Sequence, residues 1–519
     1  MKKLVALFLG LIMVLGLMPA MAETAATDYA EWFPGVDTSE HVVLTYYVTG
    51  NVPTNKTNDV LAAFNEKLTA AINAELQIQW IEWADWQTKY NLGLAMQDGS
   101  FDLVGTATDW LNAWENSEKG AFLPLSEDML KTYAPKTWAS VPAEHWDMCK
   151  FNGDIYLMPE DNYAQWINHG WMYRGDWAKA AGFENGVHSW EDMGAYFQYI
   201  KDNMPDVIPW DAAASGGSLA GQMTSGWLFS KTDGIGIEGL PVALFFGESK
   251  DNPYTLSKFF LEGDELVNFA KLMKQWADAG YWREDVLNYT GDTRVEMREG
   301  VTGADQHHTQ TWKGERYQLN QRIPGSDMGF FWWGEEKGNL VGMNITHGAM
   351  AIAATSKNPE RALMTYDLIR NDPTFYRLFN YGIEGQQYIL DENGFMARPE
   401  TFKEQAVDGV DLNFWWGRND NLELRSAIVD WPAYDALMEE YAKVAIAYPY
   451  GQVVFNRDPI QTELDNLSNV YNTYIPQIAF GKAPDPEAYV AEFRAALKAA
   501  GIEKCMAEIE AQMAAVYGN

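Results

Sequence analysis

The sequence predicts an α/β protein built around a mostly parallel sheet. Two observations carry this. From residue 41 onward, runs of β-branched and aromatic residues alternate with runs of helical apolar spacing. Strand–helix–strand alternation supplies the crossovers that parallel strands need. The 519 residues are enough for two or more lobes with real cores.

The elements follow in order. Lys2 and Lys3, an apolar run over 4–17, Pro19 and Ala20-Met21-Ala22 read as a secretory signal over 1–22, cleaved before Glu23. The run is too short and too soon broken for a good membrane span. Residues 23–40 are polar and irregular, as in a flexible leader. His41 to Thr49 (HVVLTYYVT) reads as a strand. Val60, Leu61, Phe64, Leu68, Ala71 and Ile72 mark a helix. A second strand spans 77–81, a helix 86–96 and a third strand 101–105. Phe151 to Tyr156 reads as a hairpin around Asn152-Gly153. Ser189 caps a helix running through Tyr196 and Ile200. Residues 205–260 are rich in Gly, Pro and Ser, so loops are expected to dominate. A helix over 266–279 stops at Gly280. Asn358-Pro359-Glu360 and Asp372-Pro373 open two more helices. From Pro459 to Tyr517 the chain reads as almost wholly helical.

Charge and cysteine content narrow the classes. The formal net charge is −34, and −36 without Lys2 and Lys3. This argues against nucleic acid, whose binding rests on Lys and Arg neutralising phosphates. Anionic membrane surfaces are disfavoured likewise. Cys149 and Cys505 could pair in an exported chain or remain two buried free thiols. No Cys follows the cleavage site, so a lipid anchor there has no support.

Several motifs fall short of the activities they suggest. Gly234-Ile235-Gly236-Ile237-Glu238-Gly239 matches a dinucleotide-binding pattern, but Pro241 follows and no helix opens. Gly216-Gly217-Ser218-Leu219-Ala220 lacks the last Gly of a nucleophile elbow. His307 and His308 are adjacent, and on a strand they would face opposite ways, so no shared metal is expected. No other His or Cys spacing resembles a zinc site. No metal and no cofactor are expected.

What remains is tryptophan. The chain carries 22 Trp beside 26 Tyr and 24 Phe. In parallel sheets ligands sit beyond the carboxyl ends of the strands. Two of these ends place Trp beside acid: Glu82-Trp83-Ala84-Asp85-Trp86 and Asp109-Trp110. A ligand site is the better reading for Trp83, Trp86 and Trp110, and core packing for Trp190 and Trp276. The pairs Trp332-Trp333 and Trp415-Trp416 leave both readings open.

Further motifs carry a family resemblance. Asn152-Gly153-Asp154-Ile155-Tyr156, Tyr173-Arg174-Gly175-Asp176-Trp177, Ser356 to Leu363, Asn380-Tyr381-Gly382-Ile383-Glu384-Gly385, Pro459 to Glu463 and Ala500-Gly501-Ile502 are the relevant segments. Over nearly the whole mature chain the sequence resembles the family 1 extracellular solute-binding proteins of bacterial ABC importers. Within them it looks like the LipO-type branch, which ends in a helical domain. The branch usually has a lipobox cysteine, where this chain has Ala22-Glu23.

The resemblance implies a two-lobed, type II periplasmic-binding-protein-like fold with a multi-strand hinge and a helical C-terminal extension. Lobe 1 would comprise 41–161 and 303–355, lobe 2 162–302 and 356–458, and the helical domain 459–519. Crossings are expected near Asp161–Tyr163 and Gly303–Gln306. The implied function is non-enzymatic capture of a carbohydrate, an oligosaccharide, for delivery to ABC permease subunits. Trp83, Trp86, Asp109 and Trp110 are the candidates from lobe 1. Asp161, Trp166, Trp227, Asp305 and His307 are those from the hinge and lobe 2, with Trp332, Trp333 and Trp416 beside them. The expected protein is a monomer, exported and extracellular, cell-surface-associated or periplasmic. Two rivals are peptide or other solute binding in the same fold, and a secreted glycoside hydrolase.

Overall fold

Two sheets organise the molecule. The computed structural model describes residues 28–83, 85–161, 166–214, 218–240 and 242–518. Nine strands matter here, labelled in chain order: β1 (Val42–Thr49), β2 (Ala74–Ile81), β3 (Leu103–Thr106), β4 (Met158–Pro159), β5 (Gly170–Arg174), β6 (Ala304–His307), β7 (Met328–Trp332), β8 (Leu340–Val341) and β9 (Ala349–Ile352). The first sheet has the order β2-β1-β3-β9-β4. β1 runs parallel to β2 from Val42↔Ala74 to Thr49↔Ile81, and parallel to β3 through Tyr46↔Leu103. β9 returns antiparallel to β3. The second sheet, β6-β5-β7, is antiparallel throughout.

Each sheet has its own core. Tyr46, Val48, Phe64, Leu68, Leu76, Leu103 and Ile352 bury together in lobe 1, joined by Leu363, Tyr366 and Phe379. Helices on both faces explain the almost continuously apolar β1. Lobe 2 centres on Trp171, Trp190, Trp210, Trp276 and Trp333, with Phe197, Phe269 and Met273 around them.

The division of the chain differs from the expectation. Residues 304–307 and 328–332 flank β5 in the second sheet, so Gly303–Gln306 is not a crossing. The return to lobe 1 falls between β8 and β9. The Pro359–Asn371 and Pro373–Tyr381 helices then pack in the lobe 1 core, not in lobe 2. A further passage to lobe 2 falls between Trp416 and the Trp431–Val444 helix, whose Leu437 and Tyr441 pack near β7 and β8. The reason is that an apolar stripe of the kind at Leu363, Tyr366 and Ile369 reports burial and not which core receives it. Asn162 and Tyr163, in the first expected crossing, lie outside the described residues, as does the signal segment 1–22.

Other expectations also shift. Residues 28–40 are docked: Trp32 donates its Nε1–H to Asp367 at 2.8 Å, and Phe33 is buried in lobe 1. Within 205–260 there is a 14-residue helix, Ser218–Lys231. It is buried on nearly every side, so it has no amphipathic stripe to read. The three C-terminal helices, Gln461–Ala479, Pro486–Ala499 and Ile502–Tyr517, are not set apart from the lobes. Leu464, Leu467, Ile475, Phe493 and Ile509 enter the lobe 2 core. Cys149 lies in the first core and Cys505 in the second, both as free thiols. Among the described residues no helix is long and apolar enough to cross a membrane.

Candidate ligand-binding site

The carboxyl ends of β2 and β3 lead into a group of stacked indoles. Trp83 lies against Trp110 with ring centroids 5.8 Å apart and planes 26° apart. Trp110 stacks in turn on Trp416 at 5.8 Å and 30°. Trp415 stacks on Trp83 at 6.0 Å, and Trp86 meets Trp110 edge-on at 5.1 Å. Trp415 and Trp416 sit on one short turn, Trp415–Gly417, after the buried Phe414. Trp416 is 1% exposed, whereas Trp83 and Trp415 are 37% and 48% exposed. Aromatic pairs contribute about 0.5–1.5 kcal/mol each beyond area burial. The buried ring therefore anchors a set of part-exposed flat faces. Rings held in place before binding lose little entropy when a ligand arrives.

Three adjoining cavities follow. The first, 390 Å³, is walled by Trp110, Trp415, Trp416, Glu160, His347, His308 and Arg418. The second, 430 Å³, includes Trp86, Asp109, Trp110, Glu238, Asn344 and Tyr448. The third, 410 Å³, includes His169, Gln222, Glu238, Trp333 and Asn472. Trp110 is common to the first two and Glu238 to the last two. Flat apolar walls with a few convergent polar groups describe a small-molecule cleft of ordinary size. Lobe 1 supplies the stacked indoles of the first two cavities. Lobe 2 supplies His169, His308 and Glu238.

The polar groups are electrostatically coupled. His347 Nδ1 is 2.9 Å from Asp109 Oδ2. Burial works against its charge, but Asp109, with Glu238 and Glu160, outweighs this and lifts its pKa to about 9. Burial raises Glu160 to about 7, against the pull of Arg418 and His347. His169 and His307 are lowered to about 3 and His308 to about 4, in each case chiefly by burial. These three rings are therefore neutral donors and acceptors near pH 7.

His307 and His308 do not face opposite ways. β6 ends at His307, and His308 caps the Thr309–Arg322 helix, accepting from the Thr311 N–H. Their ring centroids lie 4.2 Å apart, and His169 is 5.5 Å from His307. The alternation rule fails because the strand stops between them. Among the described residues no group of three His, Cys, Asp or Glu side chains is arranged to hold a metal.

The predicted site residues divide. Trp83, Trp86, Asp109, Trp110 and Trp416 come together in or beside the cleft, and Trp333 borders its third cavity. Trp333 is otherwise a core ring, stacked on Trp190 at 5.7 Å and 18°. His307 lines none of the three cavities, and its Nδ1 lies 2.8 Å from the Thr311 hydroxyl. Trp227 is core: it is 4% exposed, and its Nε1–H donates to the Glu265 carbonyl at 3.0 Å. Asp305 is buried and paired with Arg294 at 3.1 Å inside lobe 2. Asp161 has a φ of +56° and a carboxylate held 2.5 Å from His145. Trp166 and Trp332 meet Tyr441 edge-on at 5.1 and 5.3 Å, away from the cavities. Glu160, His347, His308, Arg418 and Glu238 line the cleft without being singled out by the sequence, and Trp415 enters only through a pair whose reading is open. Only Trp415 had a local signal, as the neighbour of Trp416.

Comparison with known proteins follows the same outline. Residues 449–517 match a domain of unknown function, DUF3502. Over 490 residues the chain is 22% identical to a carbohydrate ABC transporter substrate-binding protein of Streptococcus pneumoniae serotype 4, covering 92% of this chain and 91% of that one. Among solved structures it is similar to the N-glycan transport solute binding protein NgtS of Streptococcus pneumoniae, with TM-score 0.71 and 20% identity over 91% of this chain and 98% of that one. An extracellular solute-binding protein of Bifidobacterium longum subsp. infantis gives TM-score 0.62 and 14% identity, covering 91% and 98%. Two lobes, a cleft between them and these neighbours define the fold of the chain, that of the type II solute-binding proteins.

Proposed function

We propose that the chain captures a carbohydrate, an oligosaccharide, in the interlobe cleft and delivers it to the permease of an ABC importer without turning it over. The observation that carries this reading is the Trp83–Trp110–Trp416 stack, with Trp415 at its open end and carboxylates and imidazoles opposite. Indole faces suit the apolar faces of sugar rings, and the polar groups suit their hydroxyls. The neighbours support it: NgtS has been solved with Man1GlcNAc and with Man5GlcNAc, and the S. pneumoniae relative is named for carbohydrate transport. In this reading the protein works outside the cytoplasm as a monomer.

The test is a thermal-shift screen of neutral oligosaccharides, Man5GlcNAc included, against peptides of similar size. A ligand that binds only the folded state raises the melting temperature, by about 2.7 kcal/mol of stabilisation at 100 times Kd. Oligosaccharides should raise it and be recovered intact. A rise with peptides alone, or release of cleaved sugar, would overturn the reading.

A further inference from the structure

The 430 Å³ cavity holds carboxylate oxygens that the protein itself does not serve. Asp109 gives one oxygen to His347, but its Oδ1 is buried and has no hydrogen-bond partner among the described residues. Both carboxylate oxygens of Glu238 are in the same condition. The Asn344 backbone N–H favours the Glu238 carboxylate from nearby but makes no hydrogen bond of normal geometry with it. A buried acceptor left without a donor is costly, and more so when charged.

These residues come from opposite sides of the cleft. Asp109 follows β3 in lobe 1. Glu238 sits on a loop whose Ile235 and Ile237 pack in the lobe 2 core. The loop is fixed in place, because the Glu238 backbone N–H donates to the Tyr448 hydroxyl at 2.8 Å. It also comes close to lobe 1: a Cβ on Gly239 would stand 4.0 Å from the Thr108 carbonyl oxygen. Glu238 lines both the second and the third cavity, so it stands where the cleft turns from one to the other.

We propose that Glu238 is a ligand-contacting residue that, with Asp109 facing it, accepts hydrogen bonds from neighbouring hydroxyls of an uncharged sugar ring. Adjacent hydroxyls supply the donors that the buried oxygens lack. Indoles then grip the ring face while these carboxylates read its edge. A ligand touching both residues holds the two lobes together. This rests on the carbohydrate reading above and adds to it a residue and the donor pattern it selects.

The surroundings of Glu238 give the role a second signature. Facing it or sharing its cavities are Asp109, His347 behind Asp109, the Tyr448 hydroxyl, His169 and the Glu115–Arg457 ion pair. Burial, followed by Asp109, raises Glu238 to about 8, while His347 pulls the other way. Below that pH the empty site holds Glu238 protonated. Donor hydroxyls favour its ionised form, so capture should release a proton.

The experiment is calorimetric titration of the full chain with Man5GlcNAc at pH 7, in two buffers of different ionisation enthalpy. Wild type should bind with proton release. Glu238→Gln keeps the shape of the side chain but not its second acceptor. It should bind about tenfold more weakly or worse and lose the proton release. Its ligand-free melting temperature should not fall, since no paired charge is removed. Glu238→Ala should weaken binding at least as much. Wild-type affinity in both variants would overturn this proposal while leaving the carbohydrate reading intact. If neither Man5GlcNAc nor any other neutral oligosaccharide binds the wild-type chain, both fall together.

Discussion

At the scale of single residues, tryptophan does two jobs here: some rings wall the cleft and others only fill the core. Trp110 stacks on both Trp83 and Trp416 and meets Trp86 edge-on. Trp227 meets Trp190 edge-on in the lobe 2 core and lines none of the three cleft cavities. The two should respond differently to truncation. Trp110→Ala removes the central ring of the ladder and is expected to weaken oligosaccharide binding by about 2 kcal/mol, roughly thirtyfold. Trp227→Ala opens a core cavity and should cost about 3–5 kcal/mol of stability, with affinity of the folded fraction unchanged. Titration and urea unfolding on both variants check this; equal loss of affinity in the two would refute the division. The strand-end acids and indoles were legible in the sequence because β-strand ends have a fixed relation to the cleft of a parallel sheet. The adjacent pairs were not. Which ring of Trp415-Trp416 is buried depends on packing against Gly105, remote in sequence, and local pattern cannot report that.

At the scale of elements, the ladder depends on a glycine in a strand. Gly105 of β3 has no side chain, and a Cβ there would lie 2.6 Å from Trp416 Nε1. A contact that short forces a neighbour to move, and the neighbour is a fully buried ring. Gly105→Ala should therefore displace Trp416, at about 1–3 kcal/mol for overpacking. Because Trp110 rests on Trp416, ligand affinity should fall too. The check is a paired measurement of melting temperature and Man5GlcNAc affinity. A stable variant with unchanged affinity would show that the ladder does not rely on its buried end. β1, β2 and β3 themselves were readable from composition and period. The Ser218–Lys231 helix was not, because a helix buried on nearly every side carries no periodic signal. The exchange of 304–341 and 359–416 between the lobes has a similar origin. Strand and helix patterns give an element's type, whereas its partner is chosen by tertiary packing.

At the scale of the whole molecule, the cleft groups set how stability varies with pH. Glu160 and Glu238 titrate higher in the folded state than their ordinary value of 4.5, at about 7 and 8. His347 titrates higher than 6.5, at about 9. Each then binds more protons folded than unfolded, so each makes stability fall as pH rises, the carboxyls from about 4.5 and His347 from about 6.5. His169, His307 and His308 do the reverse. Their folded values near 3, 3 and 4 mean that the unfolded chain binds more protons below 6.5. Stability therefore rises with pH up to about 6.5 on their account. Between 4.5 and 6.5 the two sets oppose each other. Above 6.5 only the falling set acts, and below 4.5 only the rising one. The ligand-free chain should thus be most stable near pH 6 and lose stability steadily from 6.5 to 9. Urea-unfolding midpoints from pH 4 to 9 measure this, and His347→Gln should flatten the upper limb. A stability that holds level or climbs between 6.5 and 9 would mean that Asp109 does not keep His347 charged. Saturating sugar adds a contrast that belongs to the cleft alone: if ligand hydroxyls take over the buried acceptors, Glu238 no longer holds its proton, and the decline between 6.5 and 8 should become shallower in the complex.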